Sequence, residues 1–188
     1  MEKNMQKGRS MIEMLGVLAV VGVLTVTGFA MVDKMRKNQQ TTRVMDDIAE
    51  MAQKTRQFLR EYDGDYCRIA YNCYVVEKMN NEKMVPSGME YDSENKKFVN
   101  LDDVQFSVNY TNHAGTGDYT KVLFKLYIDN ATEEMCLKIA TANWGNDSSG
   151  YANIITIGSQ TIKGDVSIEA ATAYCAVEPR PQIVLNYR

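Results

Sequence analysis

The stretch Gly8-Arg9-Ser10-Met11-Ile12-Glu13 and the run that follows it, MLGVLAVVGVLTVTGFAMV (Met14–Val32), decide how this chain is built. The run holds 19 consecutive uncharged residues. As an α-helix rising 1.5 Å per residue it is about 29 Å long, close to the ~30 Å hydrocarbon core of a bilayer. A buried core helix would keep an amphipathic period, and none survives here, so a membrane span is the expected state. Three roles for the span compete. A secretory signal would be cut at the small pair Gly28 and Ala30, but the apolar region is long for that and Glu13 stands at its front edge. A plain anchor needs no processing. The third role joins the polar leader Met1–Lys7, Gly8 and the acid at Glu13 to the apolar helix as one device.

Beyond the span the pattern changes without breaking. Val44, Met45, Ile48, Met51, Ala52, Thr55, Phe58, Leu59 and Tyr62 recur at three- and four-residue intervals. Asp46, Asp47, Glu50, Lys54, Arg56, Arg60 and Glu61 take the intervening faces, which is the period of an amphipathic helix. No proline lies between Met11 and Tyr62, so one continuous helix is expected, stopping near Asp63-Gly64. Gly16, Gly22 and Gly28 each weaken it by about 1 kcal/mol relative to alanine. Either close packing of helices or local melting on leaving the membrane would account for them.

Residues 63–97 read as an irregular connector holding a short helix over Tyr74–Lys83 and closed by Val85-Pro86-Ser87-Gly88. Alternation predicts strands over Asp103–Tyr110 and Val122–Ile128, separated by a Gly/Asn/Thr loop. A helix is expected over Thr132–Thr141, capped by Asn130 or Thr132, with Glu133 and Glu134 at its positive end. Ile154–Ile157 and Thr161–Ile162 predict a hairpin through Gly158-Ser159. A short helix over Ser167–Tyr174 and a last strand over Gln182–Tyr187 complete the chain. The order implies an α+β fold, a long N-terminal helix laid on an antiparallel sheet.

All four cysteines, Cys67, Cys73, Cys136 and Cys175, follow the span. None forms a C-x-x-C pair, and the single histidine, His113, leaves little for a zinc site, so disulfides in an oxidising compartment are expected. Three connectivities are open. Proximity favours Cys67 with Cys73, which leaves Cys136 with Cys175. Basic residues flank the span on both sides (Lys3, Lys7, Arg9; then Lys34, Arg36, Lys37), so charge does not orient it. The cysteines do, by placing the C-terminal head outside the cytoplasm.

The segment Gly8 to Leu15 with its apolar run resembles the N-terminal signature of type IV pilins and pseudopilins. In that family a prepilin peptidase cuts after the glycine, the residue exposed is N-methylated, and the glutamate five places along the mature chain serves assembly. The resemblance implies cleavage after Gly8, Arg9 as the new and modified terminus, and Glu13 as the assembly glutamate. The family's residue after the cut is usually large and apolar; here it is Arg9. Glu13 also has a reading of its own. A carboxylate within a bilayer helix costs roughly 2.5–3.5 kcal/mol, so it needs water, a proton or a cationic partner such as a neighbouring copy's amino terminus. In the head, Met84-Val85-Pro86-Ser87-Gly88-Met89 is similar to the turn ending the connector of type IVb pilins, particularly those of thin conjugative pili. Met135–Thr141 and Ser167–Cys175 resemble the segments that carry that group's paired cysteines.

The domain expectation is therefore a leader (1–8), a long helix (9–62, with 14–32 in membrane or filament core), a connector (63–97) and a head (98–188). The resemblance implies a structural subunit, held in the bacterial inner membrane with a periplasmic head. It would be processed by prepilin peptidase and polymerised with its own copies by the inner-membrane assembly machinery. The filament would act in adhesion, aggregation or conjugation. A minor pilin or a type II secretion pseudopilin is the near rival. A membrane-anchored periplasmic binding domain is the rival of another class. No catalytic residue, cofactor or metal is expected, since no phosphate-binding loop, dinucleotide glycine pattern or HExxH occurs. Asp63-Gly64-Asp65 and Asn146-Asp147 lack the ligand spacing of a calcium loop. Lys and Arg number 21 against 24 Asp and Glu, a net charge of −3 that argues against nucleic-acid binding.

Overall fold

In the computed structural model, residues 10–61, 75–110, 124–144, 152–163, 166–177 and 179–187 are described, without the side chains of residues 10–13, 24, 26–30, 152–154 and 163. Helix α1 runs from Ser10 to Glu61, 52 residues in one piece. The chain divides into two compact units, residues 1–39 and 40–188. In the first, every described side chain from Met14 onward is exposed. Among the described residues no helix is long and apolar enough to cross a membrane. The expected span, Met14–Val32, includes Leu24 and residues 26–30, whose side chains lie outside them.

In the second unit the apolar stripe of α1 is buried: Val44, Ile48, Met51, Ala52, Thr55, Phe58 and Leu59. Each fully buried large apolar side chain contributes about 1.5–3 kcal/mol, so this stripe is a main anchor of the head. The sheet it joins has seven strands: β1 (Met89–Asp92), β2 (Lys97–Asn100), β3 (Gln105–Tyr110), β4 (Phe124–Asp129), β5 (Ala152–Ile157), β6 (Gln160–Lys163) and β7 (Ile183–Tyr187). Their order is β1-β2-β3-β4-β7-β5-β6, with every pairing antiparallel. The C-terminal strand β7 is thus inserted between β4 and β5.

Register places alternate residues in apolar rows across one face. Phe98 pairs with Phe106, Phe106 with Ile128, Ile128 with Ile183 and Ile183 with Ile157. A second row joins Val108, Leu126, Leu185 and Ile155. All of these are buried, whereas their strand neighbours Ser107, Lys125, Tyr127, Val184 and Asn186 are half-buried. A one-residue slip would turn every core side chain outward. On the outer side Lys97 Nζ lies 2.9 Å from Asp129 Oδ2 and donates to Gln105 Oε1.

Helices α2 (Val75–Asn81), α3 (Glu133–Thr141) and α4 (Ile168–Cys175) complete the head. Thr132 caps α3 by accepting from the Met135 N–H at 3.3 Å, and Ser167 caps α4 by accepting from Ala170 N–H at 3.3 Å. Of the two cap candidates for α3, Asn130 is used elsewhere, since it adopts φ +65° and its side chain donates to the Asp103 carbonyl. The Trp144 indole donates to the Ile139 carbonyl at 2.8 Å, which satisfies the end of α3.

The structure differs from expectation in the stretch read as an irregular connector, 63–97. It holds β1 and the first residue of β2, a hairpin at one sheet edge. The strands escape notice because MEYD and KFVN are four residues long and carry charge, too short for a period-2 pattern. Their turn is held by Asp92, whose carboxylate accepts from the N–H groups of Glu94 and Asn95 and from the Asn95 side chain. Tyr91 meets Phe98 edge-on across the hairpin, ring centroids 6.0 Å apart. Strand β3 starts at Gln105 rather than Asp103, because Asp103 takes φ +58° in the β2–β3 turn. The expected strand residues Val122 and Leu123, and the stop at Asp63-Gly64, lie outside the described residues.

Cys136 in α3 and Cys175 at the end of α4 form a disulfide, Cα atoms 5.8 Å apart. It closes a loop of 39 residues that contains β5 and β6. The chain-entropy relation assigns such a loop about 4 kcal/mol. Urea unfolding of Cys136→Ser/Cys175→Ser is expected to show a loss of about that size against the oxidised parent.

Candidate assembly surface

The described part of the apolar run presents no polar side. Met14, Leu15, Val17, Leu18, Val20, Val21 and Val23 are all largely exposed, and Met31, Val32 and Met35 continue the surface. With 3.6 residues per turn, these positions cover the helix all round. Thr25, the polar side chain described within the run, is satisfied inside the helix: its hydroxyl donates to the Val21 and Gly22 carbonyls at 3.0 and 2.9 Å. Such back-bonding suits an environment without water. Gly16 opens a shallow apolar notch with Val17, Val20 and Val21. A Cβ at Gly16 or Gly22 would meet nothing within 4 Å, so no packing among the described residues requires either glycine. Monomeric soluble proteins rarely leave an apolar surface of this extent to water.

The C-terminal half of α1 is locked to the head by polar contacts. Glu50 Oε1 accepts from the N–H and hydroxyl of Ser87 at 2.9 and 3.1 Å, and Lys54 Nζ donates to the Val85 carbonyl at 2.9 Å. Together they grip the turn Val85-Pro86-Ser87-Gly88, where Gly88 adopts φ +72°. Asn100, buried at 7% exposure, donates from Nδ2 to Asp47 Oδ2 at 2.6 Å. Its Oδ1 accepts from the N–H groups of Asp102 and Val104, which shapes the β2–β3 turn. Gln40 Nε2 donates to Asp102 Oδ1 at 3.0 Å, and Arg43 approaches the other oxygen at 3.7 Å. Arg56 lies over the stacked rings of Phe124 and Tyr187, 6.0 and 5.3 Å from their centroids. The Tyr187 hydroxyl is held far above its ordinary pKa by burial, against the opposing pull of Arg56, so the ring beneath the guanidinium stays neutral.

These contacts were not legible in the sequence. Periodicity puts Asp47, Glu50, Lys54 and Arg56 on the polar faces of α1, yet all four are half-buried at the junction with the head. Their partners, Ser87, Asn100 and the β4–β7 aromatic pair, come from distant segments with no local signal.

Among the residues singled out from sequence, Cys136 and Cys175 are brought together. Glu13 lies within α1 with its side chain outside the described residues, and Gly8, Arg9, Cys67, Cys73, His113, Asp63-Gly64-Asp65 and Asn146-Asp147 also lie outside them. Among the described residues no group of three or more His, Cys, Asp or Glu is arranged to hold a metal.

A family profile described as "PilS N terminal" matches residues 38–186. Among solved structures the chain is similar to the crystal structure of a type IV b pilin from Salmonella typhi, with a TM-score of 0.47 and 15% identity. That match covers 73% of this chain and 97% of the other. None of the curated proteins matches.

Asp47 generates a pH dependence. Burial raises its pKa above 3.8, aided by the charges of Glu50, Asp102 and Asp46 and opposed by the Asn100 hydrogen bond. The folded state therefore holds this proton more tightly than the unfolded state. Its contribution to stability falls as pH rises from 3.8 through the raised value, and is level above it. Asp47→Asn removes that slope and retains an acceptor for Asn100. Denaturation series across pH 4–7 are expected to show the variant gaining on the parent as pH rises.

Proposed function

We propose that this chain, which belongs to the PilS N-terminal family of type IV pilins and is a structural pilin subunit rather than an enzyme, is the major subunit of a type IVb-like pilus. The observation that carries the reading is the all-round apolar surface that the described side chains from Met14 to Val23 give α1, on the same helix whose later stripe anchors the head. Before assembly this surface rests in the inner membrane, with the head in the periplasm, where the Cys136–Cys175 bridge forms. Prepilin peptidase cuts after Gly8, leaving Arg9 as the methylated terminus. The chain then exchanges lipid for neighbouring helices, and the assembly machinery adds it to a homopolymer. The notch at Gly16 gives such a neighbour room to approach. Cys67 and Cys73 pair within the connector. Adhesion, aggregation or conjugation follows from the heads that form the filament surface.

Glu13 supplies the register. In the apolar core of a filament its carboxylate pairs with the amino terminus of the adjacent copy, two opposite charges that neither lipid nor Val/Leu packing can satisfy.

Intact mass of the membrane-extracted chain, with and without prepilin peptidase, is expected to differ by residues 1–8 and to show one added methyl group; an uncut chain points to a plain anchor. Glu13→Ala subunits are expected to be processed but to yield far less polymer in sheared surface material viewed by electron microscopy. Parental yield from this variant removes the pairing role. Short or absent filaments from the parent chain favour a minor pilin or pseudopilin.

A further inference from the structure

We propose that Lys34, Arg36 and Lys37 form a docking site for the anionic phosphates of phospholipid headgroups, setting how deep α1 sits before assembly; this rests on the membrane reading of Met14–Val32. The three cations lie two to five residues beyond Val32, on an unbroken helix. At 1.5 Å per residue that is about 3–8 Å along the axis. A bilayer of ~40–45 Å with a ~30 Å hydrocarbon core has a headgroup layer of about 5–8 Å on each side. The cations therefore fall in the phosphate layer when the apolar run fills the hydrocarbon.

Exposure and charge agree with this position. Every residue from Met31 to Gln39 is exposed, and burial begins at Gln40 and Thr41. Asp33 is the sole acid in this band, the next charged residue after Lys37 is Arg43, and the next acid is Asp46. Asp46 lies about 21 Å beyond Val32, outside the headgroup layer. At ~100° per residue, Lys34, Arg36 and Lys37 span about 160° of the helix circumference with Asp33 inside the same arc, and Met31 and Met35 lie on the remaining side. Cations toward phosphate and thioether chains toward the acyl boundary match an interfacial collar. Long Lys and Arg stems can reach the phosphates while their methylenes stay in apolar surroundings. Arginine adds a planar fork for two phosphate oxygens, and the lysines act as point charges.

The test uses the full chain reconstituted into phosphatidylcholine vesicles carrying traces of spin-labelled phosphatidylglycerol or spin-labelled phosphatidylcholine. Co-flotation with vesicles tests the membrane reading, and its failure overturns both claims. Given flotation, the parent is expected to immobilise the phosphatidylglycerol label at least about fivefold more than the phosphatidylcholine label at low salt. The preference is expected to shrink in about 0.5 M NaCl, as screening shortens the reach of each charge. K34Q/R36Q/K37Q is expected to abolish it, and the charge-keeping K34R/R36K/K37R to restore it. Flotation with equal immobilisation of both lipids by the parent overturns the proposal and leaves the span standing. So does a triple glutamine variant that keeps the preference, which assigns it to other basic residues such as Lys3, Lys7 and Arg9 on the far side of the span.

Discussion

The head depends on burying one stripe of α1 against one face of a sheet. Val44, Ile48, Met51, Phe58 and Leu59 share a core with Phe98, Phe106, Phe124, Leu126, Ile128, Ile183 and Leu185. A helix offers apolar residues every three or four positions and a strand every second, and the two periods meet in this one layer. The same helix carries exposed apolar side chains over its first half, Met14 to Val23 and Met31, Val32 and Met35 among the described residues. One element thus buries a stripe of its second half within the subunit, while the described apolar side chains of its first half stay exposed. That division is the physical basis of a subunit that assembles.

Around the apolar stripe sits a ring of polar contacts that gives the packing a single orientation. Apolar burial is non-directional, so the stripe alone would tolerate sliding of α1 along the sheet. Glu50 and Lys54 on the Val85–Gly88 turn, Asp47 on Asn100, Gln40 on Asp102 and Arg56 over Phe124 and Tyr187 define the axial position. Removing one partner would leave a half-buried polar group without its bond, which costs more than the bond contributes on balance. The disulfide acts elsewhere, holding α3 to α4 and containing the excursion through β5 and β6 that lets β7 enter the sheet.

Much of the fold was legible because several elements carry a local signal. The absence of proline from Met11 to Tyr62 and the three-to-four spacing gave α1 its extent. A cap at Asn130 or Thr132 and the acids Glu133 and Glu134 announced α3, and alternation announced β3 and β4. The β1–β2 hairpin was not legible, since four-residue strands with charged ends resemble loops until Phe98 finds its row beside Phe106. The polar partners of Asp47 and Glu50 were equally hidden, because a helical pattern reports which face is apolar and says nothing of which distant loop meets the other.

By itself the sequence determined the long helix with an apolar first half and an amphipathic second half, the α+β class and the absence of recognisable catalytic motifs. These follow from local composition and spacing, which act over a few residues and can be read in order along the chain. Only the tertiary structure decided the strand order, with the last strand placed between β4 and β5, and the use of charged residues of α1 as clasps on the head. Those depend on which segments share one core. That choice is made by the summed burial of residues far apart in sequence, and no local pattern records it.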